Sequence, residues 1–214
     1  MPDMNGFARI KKKLHRDDGR VLVTLSVGAG DECEEHEFLI LEELFASVCE
    51  EIGSDSLDAE DVARLDQLSE VTAAFSSACA SLAFGASSAK ALFRKLCAKG
   101  FSRASCEYAV EICLDKGYID EVATALRRAE IMADKPWGRT RIIAKLFEEG
   151  YSEGAMNAVR DYLEEIDFAD GCMRAIEKKY RVIPTERRER EKMYAALMRL
   201  GFSSADIKEA LRRV

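Results

Sequence analysis

Three copies of one short pattern constrain this chain more than anything else in it: Leu96-x-x-x-Gly100-Phe101-Ser102, Leu146-x-x-x-Gly150-Tyr151-Ser152 and Leu197-x-x-x-Gly201-Phe202-Ser203. The glycines stand 50 and 51 residues apart, a period that implies stacked supersecondary units. Glycine reaches the left-handed conformation that closes a helix, the serine two residues on can cap the next helix, and the aromatic between them staples the corner to a core. In the third copy Ser203-x-x-Asp206 has the spacing of a capping box.

Apolar residues fall at matching offsets before each glycine: Leu92, Phe93 and Leu96, then Ile142, Ile143 and Leu146, then Met193, Tyr194 and Leu197. After it come Cys106, Ala109 and Cys113, then Met156, Val159 and Leu163, with Ile207 and Ala210 beginning the same series. Both series line one face of a helix. Tyr118-Ile119-Asp120 and Phe168-Ala169-Asp170 each open a third helix, and Pro136 and Pro184 stand where the next unit should begin. The expected class is therefore mainly α: three-helix repeats over 85–135 and 136–183, and a truncated third over 184–214, stacked as an elongated, curved solenoid.

Residues 1–84 read differently, as a small acidic α+β domain. Phe7 to Leu14 and Arg20 to Val27 are strand-like runs joined by an Arg16-Asp17-Asp18-Gly19 turn, and His36 to Leu41 adds a third. Helices are expected over 42–52, 58–68 and 70–84, with Gly53-Ser54-Asp55-Ser56 as a break.

With 48% hydrophobic residues, 33% charged and three prolines, the 214-residue chain suits charge-laced helices in one or two compact units. It lacks an apolar run of membrane-spanning length and a signal-like start, so a cytoplasmic protein is expected. Seven cysteines (33, 49, 79, 97, 106, 113 and 172) form no C-x-x-C pair and read as reduced, buried small hydrophobes. The net charge of -7 conceals an asymmetry: residues 1–84 hold 7 Lys/Arg against 18 Asp/Glu, residues 85–214 hold 25 against 21, and residues 173–214 hold 12 against 6. A basic C-terminal region on an acidic protein is suited to meeting an acidic filament or nucleic acid.

Motifs for chemistry are sparse. Gly28-Ala29-Gly30 is followed by Asp31-Glu32, which would repel phosphate, and lacks the Gly-Lys-Ser/Thr ending of a phosphate loop. His15 and His36 have no metal-ligand spacing to the cysteines. Acidic pairs such as Glu50-Glu51 and Glu164-Glu165 read as solvated faces, and Asp120-Glu121 as favourable charge at a helix start. No catalytic, cofactor-binding or metal-ligating set is expected, and the chain reads as a non-enzyme.

The basic residues are the one class with a candidate functional arrangement: Arg127-Arg128, Lys135 with Arg139 and Arg141, Lys178-Lys179-x-Arg181 and Arg187-Arg188-x-Arg190-x-Lys192. They read either as a binding stripe or as ordinary helix solvation, since Glu186, Glu189 and Glu191 interleave the last cluster. Trp137, beside Pro136, reads either as core at a unit junction or as an interface anchor.

Gly117-Tyr118-Ile119-Asp120-Glu121, then Lys135-Pro136-Trp137-Gly138-Arg139-Thr140-Arg141-Ile142 followed by Leu146 and Gly150, resemble the RecX family of regulatory proteins. The resemblance spans about residues 82–214 and is most specific from Lys135 to Gly150. It implies tandem three-helix units and a monomeric, cofactor-free modulator that binds the RecA recombinase or its filament on single-stranded DNA. Such a protein restrains ATP turnover and strand exchange, within homologous recombination, DNA repair and the SOS response. It departs from the family at Phe84-Gly85-Ala86-Ser87, where basic residues are common, and at Thr124, where an aromatic is common. The alternative is a helix-turn-helix-like regulator that binds DNA directly.

Overall fold

The computed structural model describes residues 8–28, 33–49, 56–180 and 183–213. Ala29-Gly30-Asp31-Glu32, Glu50-Glu51, Gly53-Ser54-Asp55 and Arg181 lie outside the described residues. Three antiparallel strands in the order β1-β2-β3 open the chain: β1 (Ala8–Arg16), β2 (Arg20–Val27) and β3 (Glu34–Leu41). The hairpin turns where the sequence places it, with Gly19 at φ +73° donating from its N–H to the Arg16 carbonyl at 3.2 Å. Alternation along β2 buries Val21, Val23 and Leu25 completely, so one face of the sheet is core and the other is wet.

The sheet is followed by α1 (Glu42–Cys49) and α2 (Ala59–Ala83). The region expected as two helices, 58–68 and 70–84, is one continuous helix. Leu65, Leu68, Val71, Thr72, Phe75 and Ala78 make an unbroken buried stripe, and helical spacing across Ser69 outweighs that residue's weak propensity. Thr72 is buried within the stripe; its hydroxyl donates to the Leu68 carbonyl and accepts from the Leu41 N–H, both at 2.9 Å. That bond ties the end of β3 to α2. Asp58 and Asp61 form a capping box at the start of α2.

Eight further helices follow: α3 (Ala89–Ala98), α4 (Arg103–Asp115), α5 (Glu121–Ala133), α6 (Arg139–Glu149), α7 (Glu153–Glu164), α8 (Phe168–Tyr180), α9 (Arg187–Arg199) and α10 (Ser204–Arg212). The three glycine corners join α3 to α4, α6 to α7 and α9 to α10, with φ of +97°, +82° and +91°. Leu92, Leu96, Ile142, Leu146, Met193 and Leu197 before the corners, and Cys106, Cys113, Met156, Leu163 and Ile207 after them, are buried. Each such leucine or isoleucine contributes about 2 kcal/mol of transfer free energy.

Packing groups these helices one step out of phase with the sequence copies. The third helix of one copy packs on the second helix of the next: α2 on α4, α5 on α7 and α8 on α10. The segment 184–214, read from sequence as a truncated third copy, thus supplies two helices of a full three-helix group whose first member is α8. The chain divides into two compact units on this pattern, one comprising Met1–Gly85 with Leu92–Tyr118, the other Ala86–Ala91 with Ile119–Val214. In the second unit one core runs from Ala125 on α5 to Ala210 on α10. Among the described residues no helix is long and apolar enough to cross a membrane.

Cys106, Cys113 and Cys172 are buried as expected, Cys79 and Cys97 are half-buried, and Cys33 is exposed because it stands in the loop before β3 rather than on a helix. Burial pushes the Cys106 and Cys113 thiols up to about 12, helped by neighbouring Cys97 and Cys79 respectively. Such thiols stay protonated at neutral pH.

Candidate interaction surface

The segment that starts the second sequence copy is built around a close backbone approach. Gly138 sits against the α9–α10 corner: its N–H donates to the Leu200 carbonyl at 2.8 Å, and the Thr140 N–H donates to the Gly201 carbonyl at 3.2 Å. A Cβ on Gly138 would lie 2.1 Å from the Gly201 carbonyl carbon, so no side chain fits there. One copy earlier, Ser88 occupies the equivalent place. Its hydroxyl donates to the carbonyl of Glu149, the residue before Gly150, at 2.6 Å and accepts from the Ala91 N–H at the start of α3. A helix start seated on a following corner is therefore a repeated joint.

Held by this joint, Trp137 packs half-buried against the core of the second unit. The Arg141 guanidinium stands 4.2 Å from its ring centroid and the Lys135 ammonium 5.1 Å. Two cations on one indole lie within the range where ring quadrupole and charge attract. Trp137 thus packs on the core at the unit junction, one of its two sequence readings, while its ring also carries two cations.

Arg139, two residues before Arg141, points elsewhere: residues two apart on a helix are separated by about 200°. Its guanidinium donates to the Leu163 carbonyl at the end of α7 at 2.8 Å and lies 5.6 Å from the Phe168 ring. Arg128 is likewise committed within the fold. Its guanidinium forks onto the Glu149 carboxylate at 2.6 and 3.2 Å, and that bond holds its pKa above the usual arginine value. The remaining basic positions are on the surface. Arg127 is exposed on α5, Lys178 and Lys179 in the last turn of α8, and Arg188 in the first turn of α9. Arg187 is exposed and paired with Glu191 at 3.0 Å. Of the basic and aromatic residues singled out from sequence, the structure brings together Lys135, Trp137 and Arg141 and turns Arg128 and Arg139 to structural work.

Sequence reasoning missed a pair of carboxylates. Glu121, the first residue of α5, accepts from the Ser152 N–H at 3.0 Å with one oxygen and from the Ala89 N–H at 2.8 Å with the other. Glu70 on α2 accepts from the Ser102 N–H at 2.8 Å and from the Ser102 and Ser105 hydroxyls at 2.6 Å. Those bonds lower the Glu70 pKa, the Ser102 hydroxyl foremost. Glu70 and Glu121 are 51 residues apart, so the repeat's own period was the available signal. Near the chain's end, Arg213 joins Asp167, Asp170 and Glu209 at 2.8, 2.7 and 3.1 Å. His15 lies 2.8 Å from Glu42, and among the described residues no group of three or more His, Cys, Asp or Glu is placed to hold a metal ion.

A model of the RecX family, for its third three-helix domain, matches residues 165–211, which span α8 to α10. Regulatory protein RecX of Vibrio campbellii (strain ATCC BAA-1116) is 29% identical over 121 residues, 56% of this chain and 77% of the relative. That of Chlorobium phaeobacteroides (strain BS1) is 29% identical over 129 residues, 59% and 83% of the two chains. A crystal structure of regulatory protein RecX superposes with a TM-score of 0.71 at 20% identity, covering 96% of this chain and 99% of that one. RecX from Lactobacillus salivarius gives 0.56 at 16% identity, over 67% and 96%. The domain model, the relatives and the shared fold all point the same way: the chain is similar to RecX regulatory proteins in sequence and shares their fold.

Proposed function

We propose that this chain is a RecX protein that regulates the RecA recombinase without chemistry of its own, by binding RecA or its filament on single-stranded DNA and restraining ATP turnover and strand exchange. The observation that carries this reading is the Lys135–Trp137–Arg141 cluster: two cations on one half-buried indole, on a segment whose backbone is locked by Gly138. A rigid aromatic flanked by cations is the kind of anchor that dominates an interface, and its positive charge suits an acidic filament. Exposed Arg127, Lys178, Lys179 and Arg188 extend the positive surface of the same unit. Repeated three-helix groups suit such a partner, since several similar surfaces on one chain can meet several filament subunits at once.

The test is RecA ATP hydrolysis on single-stranded DNA with increasing amounts of the parent chain or of Arg141→Glu, beside a DNA-only binding control. Dose-dependent suppression by the parent, weakened about tenfold or more in Arg141→Glu, is the expected result. Strong, salt-sensitive binding in the DNA-only control with no effect on RecA would replace this reading with direct DNA binding.

A further inference from the structure

The three corners share a sequence pattern, but among the described residues only two are occupied. Ser88 and Lys90 sit on the Gly150 corner: the Ser88 hydroxyl bonds the Glu149 carbonyl, and a Cβ on Gly150 would lie 2.6 Å from the Lys90 side chain. Gly138 and Arg141 sit on the Gly201 corner, where a Cβ would lie 2.5 Å from the Arg141 backbone nitrogen. At the Gly100 corner a Cβ would meet nothing within 4 Å, and Lys99, Gly100 and Ser102 are exposed. Among the described residues no hydrogen bond is made to the Lys99 carbonyl, the counterpart of the Glu149 and Leu200 carbonyls that accept at the other two corners.

We infer that the Gly100 corner is a docking seat for the first turn of a helix from a separate partner protein. That helix would open on a small residue, Ser or Gly, and carry Lys or Arg two or three positions later. The two occupied corners define this chemistry, since Ser88 is followed by Lys90 and Gly138 by Arg141. Charge complementarity supports it. Glu121 gives one oxygen to Ser152 of its own corner and the other to the N–H of Ala89 on the incoming helix. Glu70 holds the same position at the open corner, bonded to Ser102 and Ser105. Its carboxylate favours the free N–H groups and positive end of an arriving helix, and a cation in its first turn. Glu70 now accepts three hydrogen bonds, only one of them on its first oxygen, and a carboxylate has about four acceptor sites, so one is left for the incoming N–H. The seat belongs to the first compact unit, whereas the RecA surface is proposed on residues of the second.

The test uses the full isotope-labelled chain and, as probe, a synthetic peptide with the sequence of residues 86–98, the natural occupant of the Gly150 corner. Amide signals are followed by NMR without RecA or DNA. Shifts that saturate at Gly100, Phe101 and Ser102, with about tenfold weaker binding for the Lys90→Glu peptide, are expected. Gly100→Asn should remove them, because asparagine tolerates the left-handed conformation while its side chain fills the seat. Glu70→Gln, at a half-exposed position, should weaken them while the fold persists. Unmoved signals at the corner at saturating peptide would overturn the proposal. So would self-association of the chain in sedimentation that Gly100→Asn abolishes, since that would assign the seat to a second copy.

Discussion

The corner at Gly100 and the corner at Gly201 are spelled alike and held differently. Gly100 is glycine for its backbone alone: φ is +97°, and among the described residues a Cβ there would meet nothing within 4 Å. Gly201 also takes up the left-handed conformation, but it lies against Arg141 and Gly138 so closely that even a methyl group would collide with backbone. Gly138 completes the contrast, with an ordinary φ of -85° and no room for a side chain. One residue type thus serves torsional freedom at one place, space at another and both at a third. A sequence repeat preserves the torsional requirement while the contact on top of it varies.

The largest effect that would break this contrast is at Gly138. Gly138→Ala should destabilise the second unit by on the order of 4 kcal/mol, since neither backbone segment can yield. A thermal melt matching the parent would show that the joint is looser than its distances. Next comes Arg139→Ala, which removes a charged donor from the Leu163 carbonyl and should cost about 1.5 kcal/mol in chemical denaturation. Arg141→Ala, at an exposed position over the half-buried indole, should cost much less stability than Arg139→Ala. Equal losses would mean that the inward and outward arginines are not distinguished. Gly100→Ala should cost about 1 kcal/mol from the backbone alone, well below Gly138→Ala.

Within the first unit, two kinds of group respond to pH in opposite ways. Glu70 titrates below its ordinary value of 4.5 in the folded chain, so its stabilising bonds are fully present above that value and are lost as pH falls through the folded pKa. The difference in stability between the parent and Glu70→Gln should therefore close on acidification, measured by urea unfolding across the acid range. Cys106 and Cys113 run the other way. Their folded pKa is raised from 9.0 to about 12, so their contribution is complete below pH 9 and lost as pH rises above it. At neutral pH a thiol-reactive dye should label exposed Cys33 quickly and leave Cys106 and Cys113 until unfolding; prompt labelling of all three would contradict their burial.

What was legible in the sequence is what depends on a few adjacent residues. The corners, the apolar faces of α3, α4, α6, α7, α9 and α10, the Ser203–Asp206 capping box and the β-hairpin stand where periodicity and turn chemistry place them, because helix and hairpin geometry repeat over three to five residues. The third helices were also visible, but not what they pack against. Copies cut at the prolines leave α8 with the second copy, whereas burial pairs it with α10 across the α9–α10 corner.

The basic candidates divide at the same line. Lys135, Arg139 and Arg141 are indistinguishable as letters in a run; which of them meets a carbonyl, and which covers an indole, depends on where α7 and the Gly201 corner lie. Glu70 and Glu121 passed for ordinary helix acids because their partners, Ser102, Ser152 and Ala89, are more than thirty residues away in one direction or the other. The sequence by itself determined the repeat, its helices and the need for glycine at three turns, since torsion and amphipathicity are local properties. Only the tertiary structure decided the phase of packing, the space at Gly138 and the use of each charge, since these follow from atoms that distant segments bring together.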